Sequence, residues 1–170
     1  HRSHPEAWKQ LARVMLPHDY LTHRLTGGFT TDRGDASGTG YWSPATSDYR
    51  FDILAIVDAA LDWSDRLPTV LGPLESAGTW NGALVAPGTG DNMAAALGVG
   101  LRPGDAVMSI GTSGTVYSVS ELPTADPSGG VAGFADATGR FLPLVCTLNA
   151  AKVTEAIRRL REVNRNQFGR

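Results

Sequence analysis

Cysteine, histidine and long apolar runs are scarce in this 170-residue chain, and each scarcity removes a class of protein. The single thiol, Cys146, leaves no internal disulfide and no cysteine-built metal site, and it fits a reducing compartment such as the cytoplasm. Among the four histidines, His18 and His23 stand five apart and so off one helical face, while His1 and His4 sit at the chain end. They show no metal-ligand spacing. No stretch reaches membrane-spanning length, and HRSHPEAWKQ has no positively charged segment leading into an apolar one, so no membrane partner is expected. The net charge of −2 lacks the basic surplus that nucleic acid demands, so no nucleic-acid partner is expected either. Repeats, heptads and low-complexity tracts are missing as well. What is left is an ordinary globular composition, enough for one or two compact cores.

Along the chain, Pro5 followed by Trp8, Leu11, Ala12 and Met15 predicts an amphipathic helix over 5–16, interrupted at Pro17. A second helix runs through Tyr20, Leu21 and Leu25 to Gly27-Gly28, residues suited to a left-handed helix end. GFTTDRGDASGTGYWSP predicts short strands and turns; within it, Asp32 and Asp35 read as a polar turn, with paired carboxylates or a cation site as the alternatives. Helical spacing returns with Ile53, Ile56, Val57 and Leu61, over 52–61. Then the grammar changes to a strand at 83–86, a turn at Pro87-Gly88-Thr89-Gly90 and an alanine-rich helix over 91–97. LRPGD, residues 101–105, is the best place for a domain boundary. Beyond it, AVMSIGTSGTVYSVS predicts a hairpin turning at Gly111-Thr112-Ser113-Gly114, with Val107, Ser109, Thr115 and Tyr117 alternating around the turn. FLPLVCTL, residues 141–148, is a strand, and Val153, Ala156, Ile157 and Leu160 form the apolar stripe of a closing helix. Its Arg158, Arg159 and Arg161, interleaved with Glu155 and Glu162, read as a solvated face.

Two segments can carry chemistry. Asp91 precedes a helical run, where a carboxylate caps the first N–H groups and is favoured by the helix dipole. The same position keeps a carboxylate ionised and able to take a proton from an attacking hydroxyl, and the preceding glycines let a substrate approach the backbone. Capping and catalysis are compatible. Gly111-Thr112-Ser113-Gly114 offers consecutive N–H groups and two hydroxyls to phosphate oxygens, although ordinary hairpins turn on the same residues. It is no P-loop, because the G-x-x-x-x-G-K-S/T pattern is missing and a strand follows where a helix is required. Asp32 and Asp35 lack the ligand ladder and closing Glu of an EF-hand.

MLPHDYLTHRLTGGFTTDRGDASGT, GTGDNMAAALGVG and SIGTSGTVYSVS, in that order, resemble the middle of the FGGY family of carbohydrate kinases, nearest its xylulose kinase branch. The resemblance implies an α/β chain built from parts of two actin-like (ribonuclease-H-like) ATPase domains. Residues 1–101 would be the C-terminal part of the first, sugar-binding domain, and residues 102–170 the N-terminal part of the second, ATP-binding domain. It implies transfer of the γ-phosphoryl group of ATP to a sugar hydroxyl, D-xylulose to D-xylulose 5-phosphate. The alternatives are another polyol or sugar acid (glycerol, gluconate, ribulose) and a non-catalytic sugar-binding piece. In the family the Asp of the Gly-Asp-Asn segment is the general base, which falls here on Asp91, and Asn92 matches the sugar contact. The Gly-Thr hairpin holds ATP phosphates, which carries over to Gly111, Thr112, Ser113 and Gly114. ATP and Mg2+ are the implied cofactors, the sugar and ATP the implied partners, and a homodimer stays open. The family's Asp-x-Gly-Thr phosphate turn and its adenosine-holding segment have no counterpart in this chain. The expectation is an internal fragment with little kinase activity alone, ending in a segment, REVNRNQFGR, that matches nothing in the family.

Overall fold

The computed structural model describes residues 3–161. In chain order these form α1 (Pro5–Lys9), α2 (Pro17–Thr26), β1 (Thr30–Asp32), α3 (Arg33–Gly38), β2 (Trp42–Ser43), β3 (Asp48–Tyr49), α4 (Phe51–Val57) and β4 (Thr69–Leu71). There follow β5 (Gly78–Trp80), β6 (Ala83–Val85), α5 (Asp91–Gly98), β7 (Ala106–Ile110), β8 (Gly114–Ser118), β9 (Ala132–Ala135), β10 (Phe141–Thr147) and α6 (Ala151–Leu160). The expected closing segment lies outside the described residues from 162 onward.

The first region departs from the periodicity in three places, the slightest being the helix expected over 52–61, which runs only from Phe51 to Val57. The helix expected over 5–16 stops at Lys9, because Leu11 and Val14 are drawn with Trp8 onto the buried cluster Leu54, Trp63 and Leu67. Val14 donates its N–H to the Arg66 carbonyl at 2.8 Å, a tertiary bond that the helix would have forbidden. Pro17 begins α2 rather than interrupting a helix, its missing N–H being one that a first turn leaves unpaired. That helix ends, as expected, on Gly27 at φ 78. The second departure is α3, a helix where strands and turns were expected. Asp32 caps it by accepting the Asp35 N–H at 3.0 Å, and Ala36 is buried against Trp42 and Ala135. Tertiary packing here overrides the poor helix propensity of Gly34 and Gly38. β1 and β4 pair in parallel, Thr30 opposite Thr69.

The second region follows its pattern closely. β7 and β8 make the expected hairpin, with Ser109 opposite Thr115 and Val107 opposite Tyr117, inside a four-stranded antiparallel sheet ordered β7-β8-β10-β9. Ala96 of α5 enters the apolar cluster of this sheet, with Tyr117, Leu142 and Leu144. LRPGD forms a tight turn in which the Arg102 N–H donates to Asp105 Oδ2 at 3.0 Å. The helix α6 is present, but its stripe of Val153, Ile157 and Leu160 is exposed rather than packed. No helix among the described residues is long and apolar enough to cross a membrane.

Candidate active site

β6 and the turn Pro87–Gly90 deliver Asp91 to the start of α5. The helix N-cap is Gly90, not Asp91, which corrects the capping expectation: Asp91 is the first helical residue. Its Oδ1 accepts from the Asn92 backbone N–H at 2.8 Å and from Asn92 Nδ2 at 3.0 Å, while its side chain stays exposed. The dipole of α5 still favours its charge from that position. Asn92 Oδ1 in turn receives the Thr115 hydroxyl at 3.4 Å, a long contact that joins α5 to the hairpin strand β8. Thr115 was not among the expected site residues. Strand alternation placed it on a face, but only the fold shows that the face meets Asn92.

The hairpin turn is held from behind. Gly111 donates its N–H to the Ser113 carbonyl at 2.8 Å, and the carbonyls of Gly111 and Thr112 accept from Ala151 and Ala150 at 2.9 and 3.0 Å. This pins the turn to the first residues of α6 and leaves Gly111, Thr112 and Ser113 exposed. Beside Gly114 lies a cavity of about 480 Å³, lined in part by Ser109, Thr115, Cys146 and Thr147.

A charged cluster underlies the Asp91 turn. His18 Nε2 lies 3.0 Å from Asp19 Oδ1 and 3.1 Å from Asp32 Oδ2, and His18 Nδ1 lies 3.4 Å from Asp35 Oδ2. Asp19 and Asp32 are only 2% and 3% exposed. Both Nε2 contacts fall off the N–H direction, so they are close approaches rather than directional hydrogen bonds. Asp19 also accepts the Leu16 N–H at 2.9 Å, closing the first turn of α2. Burial pushes the Asp19 carboxyl above its ordinary value, against the pull of the Leu16 N–H and His18. Burial first, and then the charge of Asp32, raise the Asp35 carboxyl; Asp19 and Asp91 add to this and His18 opposes it.

The turn fits closely over this cluster. Gly88 has φ +96, and a Cβ there would meet His18 Cδ2 at 3.4 Å. A Cβ on Gly90 would fall 2.9 Å from both Asp35 Oδ1 and Met93 Sδ. Asp32 and Asp35 are thus neither a solvent-facing turn nor an isolated pair, but the floor on which the Asp91 turn rests. A cavity of about 280 Å³ opens beside Asp32, Gly88, Thr89 and Asp136; it includes neither Asp91 nor the hairpin. Ligand atoms of His18, Asp32 and Asp35 lie within 4.8 Å of one another, as around a cation. Magnesium does not fit them, since it prefers an octahedron of oxygens and one of these donors is a ring nitrogen.

Residues 1–98 match the N-terminal domain of the FGGY family of carbohydrate kinases. The chain belongs to the FGGY family. A xylulose kinase of Streptomyces coelicolor is 55% identical over 95% of this chain, and one of Streptomyces rubiginosus is 54% identical over the same share. The chain spans 35% of the length of each. The crystal structure of xylulose kinase from Bifidobacterium adolescentis superposes with a TM-score of 0.86 at 39% identity, covering 96% of this chain and 39% of that one. The mixed α/β architecture is therefore the actin-like one of FGGY sugar kinases, as the sequence led us to expect.

Proposed function

We propose that the protein containing this segment phosphorylates a sugar hydroxyl with ATP, and that the sugar is D-xylulose, giving D-xylulose 5-phosphate. The observation that carries the reading is Asp91, an exposed carboxylate in the first turn of α5, with its glycine turn behind it and Asn92 linked to the phosphate-type hairpin through Thr115. The high identity to xylulose kinases across nearly the whole chain supports the choice of sugar.

In this reading the sugar hydroxyl oxygen attacks the γ-phosphorus as the bond to the β-γ bridging oxygen breaks and ADP leaves. The hydroxyl proton passes to the Asp91 carboxylate, which needs little driving force if that proton departs late in a loose transition state. Asn92 Nδ2 and Oδ1 orient the sugar, and the exposed amides and hydroxyls of Thr112 and Ser113, between Gly111 and Gly114, face the ATP phosphates. Magnesium travels with the nucleotide and screens phosphate charge; no side chain here is assigned to it. Residues 1–101 belong to the sugar-binding domain and 102–170 to the ATP-binding domain, with the change of domain at LRPGD.

The test is Asp91→Asn in the full-length protein, since Asn preserves the size and the local hydrogen bonds but accepts no proton. We expect sugar-dependent ADP production to fall about 10²- to 10⁴-fold with unfolding unchanged. Near wild-type turnover would remove Asp91 from the chemistry. A panel of D-xylulose, ribulose, gluconate and glycerol on the wild-type protein tests the sugar; strong turnover of another member with none of D-xylulose would overturn that choice.

A further inference from the structure

We propose that His18, Asp32 and Asp35, with Asp19 behind them, bind a divalent transition-metal ion of the zinc, cobalt and nickel class beneath the Gly88–Gly90 turn. This site is separate from the magnesium that travels with the nucleotide, and it does not depend on the reading of Asp91 as the base.

Three elements bring the donors together: His18 and Asp19 stand on α2, Asp32 ends β1 and Asp35 lies in α3. One ligand atom from each of His18, Asp32 and Asp35 lies within 4.8 Å of the other two. Groups of acidic side chains are common on protein surfaces without any ion, but this one reaches into the interior. Asp19 and Asp32 are 2% and 3% exposed. His18 Nε2, Asp32 Oδ2 and Asp19 Oδ1 are buried atoms without a hydrogen-bond partner, a costly state that a shared cation relieves at once. The other oxygen of each buried carboxylate is already held. Asp19 Oδ2 accepts the Leu16 N–H at 2.9 Å and Asp32 Oδ1 accepts the Asp35 N–H at 3.0 Å, which leaves the second oxygens turned towards the ring. Such outer bonds are what orient metal ligands.

The spacing also distinguishes a metal from a proton. Nε2 lies 3.0 Å from Asp19 Oδ1 and 3.1 Å from Asp32 Oδ2, both off the axis of the ring nitrogen. A hydrogen bond needs the oxygen on that axis. With metal bonds of about 2.0–2.1 Å, neighbouring ligands stand about 3.0–3.4 Å apart, and the oxygen falls well to one side of the axis on which the metal sits. The imidazole nitrogen selects zinc, cobalt or nickel over magnesium and calcium, and the carboxylates neutralise the charge. His18 and Asp35 side chains are each about a third open to solvent, which gives the ion a way in. Gly88 lies against the ligand ring, where a Cβ would meet His18 Cδ2 at 3.4 Å, so a bound ion steadies the turn that leads into α5.

The experiment titrates chelator-treated full-length protein with Co2+ in the absence of nucleotide, following visible absorption and stoichiometry, and then displaces the ion with Zn2+. One Co2+ per chain should bind at micromolar concentration, give way to Zn2+ and resist a large excess of Mg2+. His18→Gln and Asp32→Asn should each weaken binding about 10²-fold or more, and Asp35→Asn about tenfold. Asp91→Asn should bind as wild type does, because Asp91 is no ligand of this site. Absence of Co2+ binding by the wild-type protein, displacement by equimolar Mg2+, or full affinity in His18→Gln would overturn the proposal, as would loss of binding in Asp91→Asn. Should His18→Gln or Asp32→Asn not fold, Asp35→Asn on the open side of the cluster decides, and undiminished affinity there overturns it. The readout needs neither sugar nor turnover, so failure of the kinase reading leaves this test intact.

Discussion

Helix α5 stands between two interiors of opposite character. On one side Ala96 packs with Tyr117, Leu142 and Leu144, an apolar cluster in which Leu142 is completely buried. On the other side Met93 approaches Gly34 and Gly90, beside a charged interior of His18, Asp19 and Asp32. The first is an ordinary source of stability, since removing apolar surface from water is favourable without any demand on direction. The second gains little net stability, because desolvating ions offsets much of their attraction. What it supplies is position, and it does so directly beneath the residue proposed to do the chemistry. The hairpin at Gly111 offers a third solution, a turn held by backbone hydrogen bonds to the start of α6.

The contrast can be broken most severely from the apolar side. Leu142→Ala should cost about 2–5 kcal/mol in denaturant unfolding of the full-length protein, with KM for sugar little changed in the fraction that remains folded. On the charged side, Gly88→Ala imposes a left-handed backbone on a residue with a Cβ and presses it towards His18. The expected cost is about 1–3 kcal/mol, accompanied by a drop in turnover larger than the loss of folded protein explains. Equal losses of stability and activity would show that the turn is only structural.

Asp35→Asn should move stability the other way. The Asp35 carboxyl is held above its ordinary value of 3.8, so the folded state binds its proton more tightly than the unfolded chain does. Its contribution to folding is present at low pH and is lost as pH rises through the elevated value. The Asn variant should therefore be more stable than wild type at neutral pH, by at most about 1 kcal/mol because the side chain is partly open to solvent. That advantage should vanish below the ordinary carboxylate range. A lower midpoint at neutral pH would mean that the contact with His18 outweighs the crowding of charges. The smallest effect belongs to Glu121→Gln, which breaks an exposed ion pair with Arg140 at 2.8 Å; thermal unfolding should shift by less than about 0.5 kcal/mol.

Where the governing interactions were local, they were legible in the residues themselves. The Gly27 cap, the strand before Pro87, the helix beginning at Asp91 and the hairpin register around Gly111 all follow from turn chemistry and periodicity. The segment order also pointed to the FGGY family, and Asp91, Asn92 and the glycine hairpin stood out as chemical residues before any fold was known. The helix over 5–16 was misjudged because Leu11 and Val14 answer to Trp63 and Leu67 rather than to their own neighbours. α3 was missed because its cap and its burial against Ala135 compensate for two glycines. Asp32 and Asp35 read as a polar turn for the same reason: nothing in TTDRGDASGT announces His18.

By itself, then, the sequence determined the family, the strand-turn-helix that carries Asp91 and the hairpin that follows, because short-range backbone preferences and alternation are written residue by residue. Only the tertiary structure decided that His18 reaches Asp19, Asp32 and Asp35 under that turn, and that Thr115 meets Asn92. Those contacts exist because α2 packs on β1 and α5 on the hairpin sheet, and the close approach of separate elements is set by packing rather than by any local pattern.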